Sequence, residues 1–375
     1  MINLFEPNIG SDSLDQLKDV FESNWLGRGK KVALFEERLS TQLCIEKSKI
    51  STNSCCSDAI FNAIQMLDLS EDDLVIIPTN SFPAIASSIL HSKANLKIVD
   101  IKKNGNIDID KIPNELIKKA SLVFITHYGG IPVNIEKLRN LLPNTSLIFE
   151  DCACALGTKV DNKPVGSDSD FSCWSLDPMK LITAGEGGVF SSNDLSFLNK
   201  VKQYSYLGLP LKEKTGLEKS SSDSNWWLYE LEMPGRRSVF CDFHAAIGLP
   251  ELEKIDDYLN KKKIIREKYI KTLNDLKVNF VAQDQKGVSY SNYFMTLQNE
   301  RRDELAKFLK QNGIYSSLRY SPLHKMDLFK KYAVDDMKGA DYFYSNSLNI
   351  PIHQNLNNEE VDFICAKLEE YFSCV

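Results

Sequence analysis

Long apolar runs are missing from this chain. No stretch approaches the ~18 residues that a membrane-spanning helix needs, and even Ser121–Thr126 is only strand length. Basic clusters are missing as well: 45 Lys and Arg against 51 Asp and Glu leave a net charge of -6, and the lysines are scattered. That balance argues against nucleic acid or an anionic membrane as the main partner. The first residues, Met1-Ile2-Asn3-Leu4-Phe5-Glu6-Pro7, lack the basic segment, apolar stretch and cleavage site of a signal peptide. Nine cysteines are present, but no Cys-x-x-Cys pair and no His-x-x-x-His pattern, so no metal site is expected. Cys55-Cys56 and Cys152-Ala153-Cys154 sit too close together for an ordinary disulfide framework, and reduced thiols in a cytoplasmic protein are expected. No Gly-x-Gly-x-x-Gly follows an early strand, which disfavours a nucleotide-binding dehydrogenase.

What is present is an ordinary globular composition, 43% hydrophobic and 26% charged. The 375 residues suffice for two domains at ~150 residues each. The first two-thirds alternate helical and strand patterns. Ser13–Ser23, Val32–Gln42 and Ser57–Leu67 carry apolar residues at helical spacing. Short apolar runs at Asp73–Pro78, Leu96–Val99, Ser121–Thr126 and Ser146–Glu150 read as strands. Strands separated by helices imply a parallel sheet covered on both faces. Gly208–Gly235, rich in Lys, Ser and Gly, reads as a long surface excursion that includes Trp226-Trp227. A helical stretch from Asp242 to Asn274, broken near Pro250, leads to a smaller domain. There the expected elements are a strand at Ser289–Leu297, a helix at Glu300–Asn312, a strand at Gly313–Arg319 and a closing helix at Glu359–Phe372.

Four pieces carry chemistry. Asp151 ends the apolar run Leu147-Ile148-Phe149-Glu150, and ligands collect at the carboxyl ends of parallel strands. An acid there can meet a cationic ring nitrogen, although Asp is equally at home as a helix cap. Lys180 closes Trp174-Ser175-Leu176-Asp177-Pro178-Met179-Lys180, ahead of Gly185-Glu186-Gly187-Gly188. A lysine must shed its proton to attack an aldehyde, and burial favours that; most lysines, however, are solvated surface residues. Ser57-Asp58-Ala59-Ile60 opens a helix, whose amides can form an anion site or simply carry a Ser cap. Phe82, in Asn80-Ser81-Phe82, could stack on a flat cofactor or fill the core. None of the four decides alone; their order and spacing do.

Together these segments resemble the DegT/StrS-type sugar aminotransferases, pyridoxal phosphate (PLP) enzymes of the aspartate aminotransferase fold. That family carries Ser-Phe-His-x-x-Lys and, after four residues, Gly-Glu-Gly-Gly, matched here by Ser175 to Lys180 and Gly185–Gly188. The likeness runs along nearly the whole chain. Trp25-Leu26-Gly27-Arg28-Gly29-Lys30 with Phe35-Glu36 resembles the family's opening motif, and Ser57-Asp58-Ala59-Ile60 its Thr-Asp-Ala-Leu. His127-Tyr128-Gly129 is similar to its H-x-Y-G-like loop, and Glu150-Asp151-Cys152-Ala153-Cys154-Ala155-Leu156-Gly157 to Glu-Asp-Ala-Ala-Gln-Ala-x-Gly. Tyr320-Ser321-Pro322-Leu323-His324 resembles a Tyr-x-Pro-x-His stretch beside the substrate pocket.

The resemblance implies an α/β chain of PLP-transferase fold type I. A large domain over 1–245, with a mostly parallel seven-stranded sheet between helices, would precede a smaller C-terminal α+β domain over 246–375. It implies that Lys180 carries PLP as a Schiff base and later shuttles the substrate proton, while Asp151 binds the ring nitrogen. Ser57, the Cys56 amide and Ser175 would hold the phosphate, Phe82 would stack on the ring, and Cys154 would stand where a Gln meets the ring hydroxyl. Members are dimers with shared active sites, and Arg237 falls where a residue reaches across to the phosphate. Tyr320, His324, Glu186 and Trp25 would face the substrate. The expected reaction moves an amino group from L-glutamate to a nucleotide-linked keto-deoxysugar. Three departures, Cys56 for Gly, Cys154 for Gln and Asp177 for His, motivate a rival reading: a non-catalytic or regulatory relative that binds ligand without turnover.

Overall fold

The computed structural model describes residues 1–211 and 230–373. Strands β1 (Ile50–Asn53), β2 (Leu74–Pro78), β3 (Asn95–Val99), β4 (Ala120–Thr126) and β5 (Leu147–Asp151) belong to the main sheet. After the short strands β6 (Lys159–Val160) and β7 (Lys163–Pro164), it is completed by β8 (Phe171–Ser175) and β9 (Gly188–Ser192). The spatial order is β1-β9-β8-β5-β4-β2-β3. β9 runs antiparallel to both of its neighbours, and the other pairs are parallel. This is the expected seven-stranded, mostly parallel sheet. β2 is buried along its whole length, which is why it appears in sequence as a continuous apolar run and not as an alternating one; β8 is also buried throughout, and β5 over nearly all of its length. Phe149 of β5 stacks on Phe124 of β4 at 4.4 Å between ring centres and also packs on Phe171 and Phe190. Burying each such ring contributes ~1.5–3 kcal/mol.

Remote residues fix the early helices. The helix Lys30–Leu43 is capped by Asp242, whose carboxylate accepts from the Gly29, Lys31 and Val32 amides at 2.9, 3.3 and 3.0 Å. Amides at a helix start have no intrahelical acceptor, so one carboxylate 210 residues away satisfies three of them. The helix Asp242–Glu253 runs straight through Pro250 and gives way to the helix Ile255–Asp275 at Lys254, so the break expected at Pro250 lies four residues later. Leu249 and Leu252 are buried on either side of the proline, and their packing outweighs the backbone bond it forgoes. The second helix joins two cores: Ile255 and Tyr258 pack with the main-sheet residues, while Ile265, Tyr269 and Leu273 pack with the C-terminal ones.

The C-terminal part holds β10 (Asn279–Phe280), β12 (Met295–Gln298) and β13 (Ser347–Ile350) in one antiparallel sheet, covered by the helices Arg302–Gln311 and Asn358–Ser373. β11 (Val288–Ser289) instead pairs with β6. The single strand expected over Ser289–Leu297 is therefore two strands in different sheets. Asn292 sits between them in a left-handed conformation (φ 50°) that turns the chain. The strand expected over Gly313–Arg319 is absent: Ile314 and Ser317 make only isolated bridges, to Ile2 and Asn349. The chain start thus lies on the C-terminal part and brings Phe5 against Tyr293, 5.2 Å between ring centres.

At the base of the Gly208–Gly235 excursion, backbone bonds join Leu207 to Arg236, Arg236 to Tyr204 and Glu232 to Gly208. Residues 212–229, with Trp226 and Trp227, lie outside the described residues. No helix among the described residues is long and apolar enough to cross a membrane.

Candidate active site

Three strands deliver their carboxyl ends to one place. Thr126 of β4 pairs with Asp151 of β5, and Asp151 pairs with Cys173 of β8, two residues before Ser175. Asp151 is buried, and its carboxylate accepts from the Ala153 amide at 3.0 Å and from the Thr126 hydroxyl at 3.4 Å. Burial pushes its pKa up, against the pull of the Ala153 amide, Lys180 and His127. Behind it, the His127 imidazole and Glu150 are joined at 2.6 Å. The Val133 amide donates to His127 Nδ1, so the ring proton lies on Nε2 and points to Glu150. Glu150, His127 and Cys152 also bring ligand-capable atoms within 4.8 Å of one another, but the His127–Glu150 hydrogen bond already engages two of the three.

Lys180 Nζ lies 3.4 Å from the Tyr293 hydroxyl. Burial pushes this amine's pKa down, but Tyr293, Cys154, Tyr320 and Asp151 surround it and hold it well above the ordinary lysine range. Burial thus acts on the amine in the expected direction, and the groups around it act in the other. Burial raises the two phenols and the thiol in turn, as it raises Asp151. Cys154 is buried beside Lys180 and Asp151, with its thiol pushed up to about 11.

The opening of the helix Cys56–Met66 lies against β9. A Cβ on Gly188 would stand 2.3 Å from the Cys55 carbonyl carbon and 2.4 Å from the Cys56 nitrogen, so only glycine lets the strand approach this turn. Gly188 is also the cross-strand partner of Ser175, which brings that serine beside the helix start. Within the first turn, Asp58 N–H takes Cys55 Sγ and Ala59 N–H takes the Cys55 carbonyl. The Cys56 and Ser57 amides open the helix where no intrahelical acceptor exists, an anion site by construction. Cys56 meets Cys173 beneath it.

Phe82 is 44% exposed and meets Tyr320 edge to face at 5.6 Å, offering a flat apolar wall. The Tyr320 segment is pinned to the end of β2. The Tyr320 amide donates to Asn80, the Leu323 amide to the Thr79 carbonyl, and the His324 amide to the Thr79 hydroxyl. That hydroxyl therefore donates to His324 Nδ1 at 2.8 Å, leaving Nε2 to face Asp341 at 3.3 Å. Both ring nitrogens of His324 are thus occupied by the protein.

Other expected site residues make no hydrogen bond or ion pair with Lys180 among the described residues. Trp25 donates to the Arg28 carbonyl in its own loop. Glu186 is exposed, with its pKa raised by burial of its carboxyl and by Asp177. Arg237 lies over the Tyr206 ring at 5.3 Å, while its neighbour Arg236 pairs with Asp58 on the Cys56–Met66 helix. The sequence reading missed Phe5, Tyr293, Arg319 and Lys262. Arg319 lies over Phe5 at 5.3 Å and reaches Met179, next to Lys180, and Lys262 is buried beside Cys154. None has a motif; the turn at Asn292 and the path of the chain start bring Tyr293 and Phe5 in.

A buried carboxylate facing a lysine amine fits the ring nitrogen and aldehyde of PLP, the helix opening fits its phosphate, and Phe82 fits its flat ring. Fold and site together define a PLP-dependent aminotransferase. The chain belongs to the DegT/DnrJ/EryC1/StrS aminotransferase family, whose model matches residues 7–369. It is similar to the dTDP-4-dehydro-2,3,6-trideoxy-D-glucose 4-aminotransferase of Saccharopolyspora spinosa, 29% identical over 99% of this chain and 96% of that protein. It is 30% identical to a UDP-4-amino-4,6-dideoxy-N-acetyl-beta-L-altrosamine transaminase of Campylobacter jejuni, over 97% of this chain and 96% of that one. The crystal structure of the aminotransferase TlmJ from Streptoalloteichus hindustanus superposes with a TM-score of 0.91 at 27% identity, covering 100% of this chain and 99% of that one.

Proposed function

We propose that this chain moves an amino group from L-glutamate to the keto carbon of a nucleotide-linked deoxysugar, making precursors of bacterial surface polysaccharide or glycoconjugates. We place it in the cytoplasm as a homodimer with shared active sites. The single observation that carries this reading is the gathering of the buried Lys180 amine and the buried Asp151 carboxylate into one cluster beyond the strand ends, where each acts on the other's charge. The similarity to enzymes named for dTDP- and UDP-linked sugars supports the substrate class. The rival reading, a relative without turnover, has no such support, since lysine and carboxylate are both in place.

When bound, PLP supplies an electron sink for the electrons left at the substrate carbon. The residues do the rest. Asp151 would bind the ring nitrogen, and a carboxylate engaged there would pull less on the Lys180 amine. Lys180 Nζ then moves the proton at the nitrogen-bearing substrate carbon, oriented by the Tyr293 hydroxyl. The Cys56 and Ser57 amides, the Ser57 hydroxyl and Ser175 hold the phosphate, joined by Arg237 of the partner subunit. Phe82 stacks on the ring. Tyr320 closes the pocket over Phe82, with His324 bracing its segment, while Glu186 and Trp25 face the sugar nucleotide at the rim.

Purified protein with PLP should show the visible absorption of protein-bound PLP, and L-glutamate should convert it to the pyridoxamine form. Adding nucleotide-linked 3-keto or 4-keto sugars one at a time should restore the band with only the true acceptor. A band that ignores every amino donor would overturn the reading.

A further inference from the structure

The helix Ile255–Asp275 carries Lys262, whose side chain is only 2% exposed. Among the described residues it makes no ion pair and no hydrogen bond. Its amine lies 5.5 Å from the centre of the Tyr293 ring, the same ring that Lys180 Nζ approaches to 5.1 Å. The groups that face it are Cys154, the Tyr293 phenol and, more remotely, His353. Cys154 feels both amines, Lys180 and Lys262. An amine buried without an acceptor is costly unless a ligand supplies one.

Cys154 stands where the resemblance places a Gln that meets the cofactor's ring oxygen. A thiol is shorter than that amide and a weaker donor. In pyridoxal the ring oxygen sits on the carbon next to the one bearing the aldehyde. An acceptor at that place is therefore a neighbour of Lys180 and Cys154, where the lone amine lies. We propose that Lys262 donates a hydrogen bond to the ring oxygen of bound PLP, replacing the amide missing at position 154. This rests on the aminotransferase reading above, with Lys180 and Asp151 as the two anchors of the ring.

The test compares apoprotein of the natural chain with Lys262→Met, Lys262→Gln and Lys262→Met/Cys154→Gln. Each is titrated with PLP, and the visible band is then followed against pH. Losing one buried hydrogen bond to a charged oxygen should raise the Kd for PLP about 10-fold in Lys262→Met. It should also move the band's pH midpoint upward, because the ring oxygen becomes more basic. Lys262→Gln keeps a donor and should lose less, and the double variant should recover affinity and midpoint. Unchanged affinity and midpoint in Lys262→Met would overturn the proposal. So would a loss that Cys154→Gln fails to repair, or an effect confined to the KM for glutamate. If the natural chain itself forms no band, the aminotransferase reading falls, a result separate from failure of Lys262.

Discussion

Replacing Lys262 with methionine should stabilise the protein without cofactor, by more at neutral pH than in mild alkali. Burial pushes the Lys262 pKa from 10.5 down to about 7. Each unit corresponds to ~1.4 kcal/mol, so the full cost of carrying this amine inside is ~5 kcal/mol. Relaxation of the surrounding packing offsets part of such a penalty, leaving ~2–3 kcal/mol. The sign follows from proton counts. Below pH ~7 both the folded and unfolded chains hold the proton, and the folded state bears the whole penalty. Between pH ~7 and ~10.5 the unfolded chain still holds the proton that the folded one has released, so stability rises with pH until the penalty is gone. Methionine keeps most of the apolar stem and has nothing to titrate. The variant's advantage in urea unfolding should therefore be ~2–3 kcal/mol near pH 6.5 and shrink to ~1 kcal/mol near pH 9. The neighbours do not confuse the comparison, since Cys154 is held at about 11 and His353 at about 4. Measurements belong at one protein concentration, because subunit association would otherwise shift the midpoint. A variant no more stable than the natural chain near neutral pH, or an advantage independent of pH, would refute the reasoning.

Other perturbations test the rest of the site and its frame. Asp151→Asn should lower turnover by at least ~100-fold while making Lys180 in the apoprotein react faster with an acylating reagent at pH ~8, because its counter-charge is gone; peptide mapping of the modified lysine reads the second effect. Tyr293→Phe removes the hydroxyl 3.4 Å from Lys180 Nζ and should lower kcat by about 10-fold in steady-state assays while leaving the Kd for PLP nearly unchanged. Asp242→Ala strips the cap from three amides of the Lys30–Leu43 helix and should cost ~2 kcal/mol in thermal or urea unfolding.

The framework was legible in the sequence because its determinants are local. A strand buried along its length, such as β2, must be written as an unbroken apolar run, and β5 keeps that run up to the acids at its end. The spacing from Ser175 through Lys180 to Gly188 reflects a strand, a turn and the next strand, with Ser175 and Gly188 facing each other across the ladder. Asp151 was legible for the same reason: it ends a strand, and strand ends are where such folds gather ligands. Misreadings arose where packing overrides local preference. Pro250 looks like a helix breaker, yet it stands inside a helix because Leu249 and Leu252 hold that helix in the core. Ser289–Leu297 looks like one strand, yet a single left-handed residue, Asn292, divides it between two sheets.

That one turn also explains why Tyr293, the hydroxyl nearest Lys180, was invisible. Tyr293 directly follows it, in a segment whose pattern predicts a strand position like any other. Phe5, Arg319 and Lys262 come from the chain start, from the segment after the helix Arg302–Gln311, and from the middle of a long helix. Nothing in their local sequence distinguishes them. Lys262 lies among charged residues in Asn260-Lys261-Lys262-Lys263, where a solvated face is the natural expectation, and only tertiary packing decides which of these lysines turns inward. A buried charge is expensive at whatever position it occurs. Its cost is therefore the clue that sequence pattern cannot give, and in this chain it points to the same few ångströms around Cys154 where the family motif is broken. The departure at position 154 and the amine at position 262 are then read together as one rearranged contact.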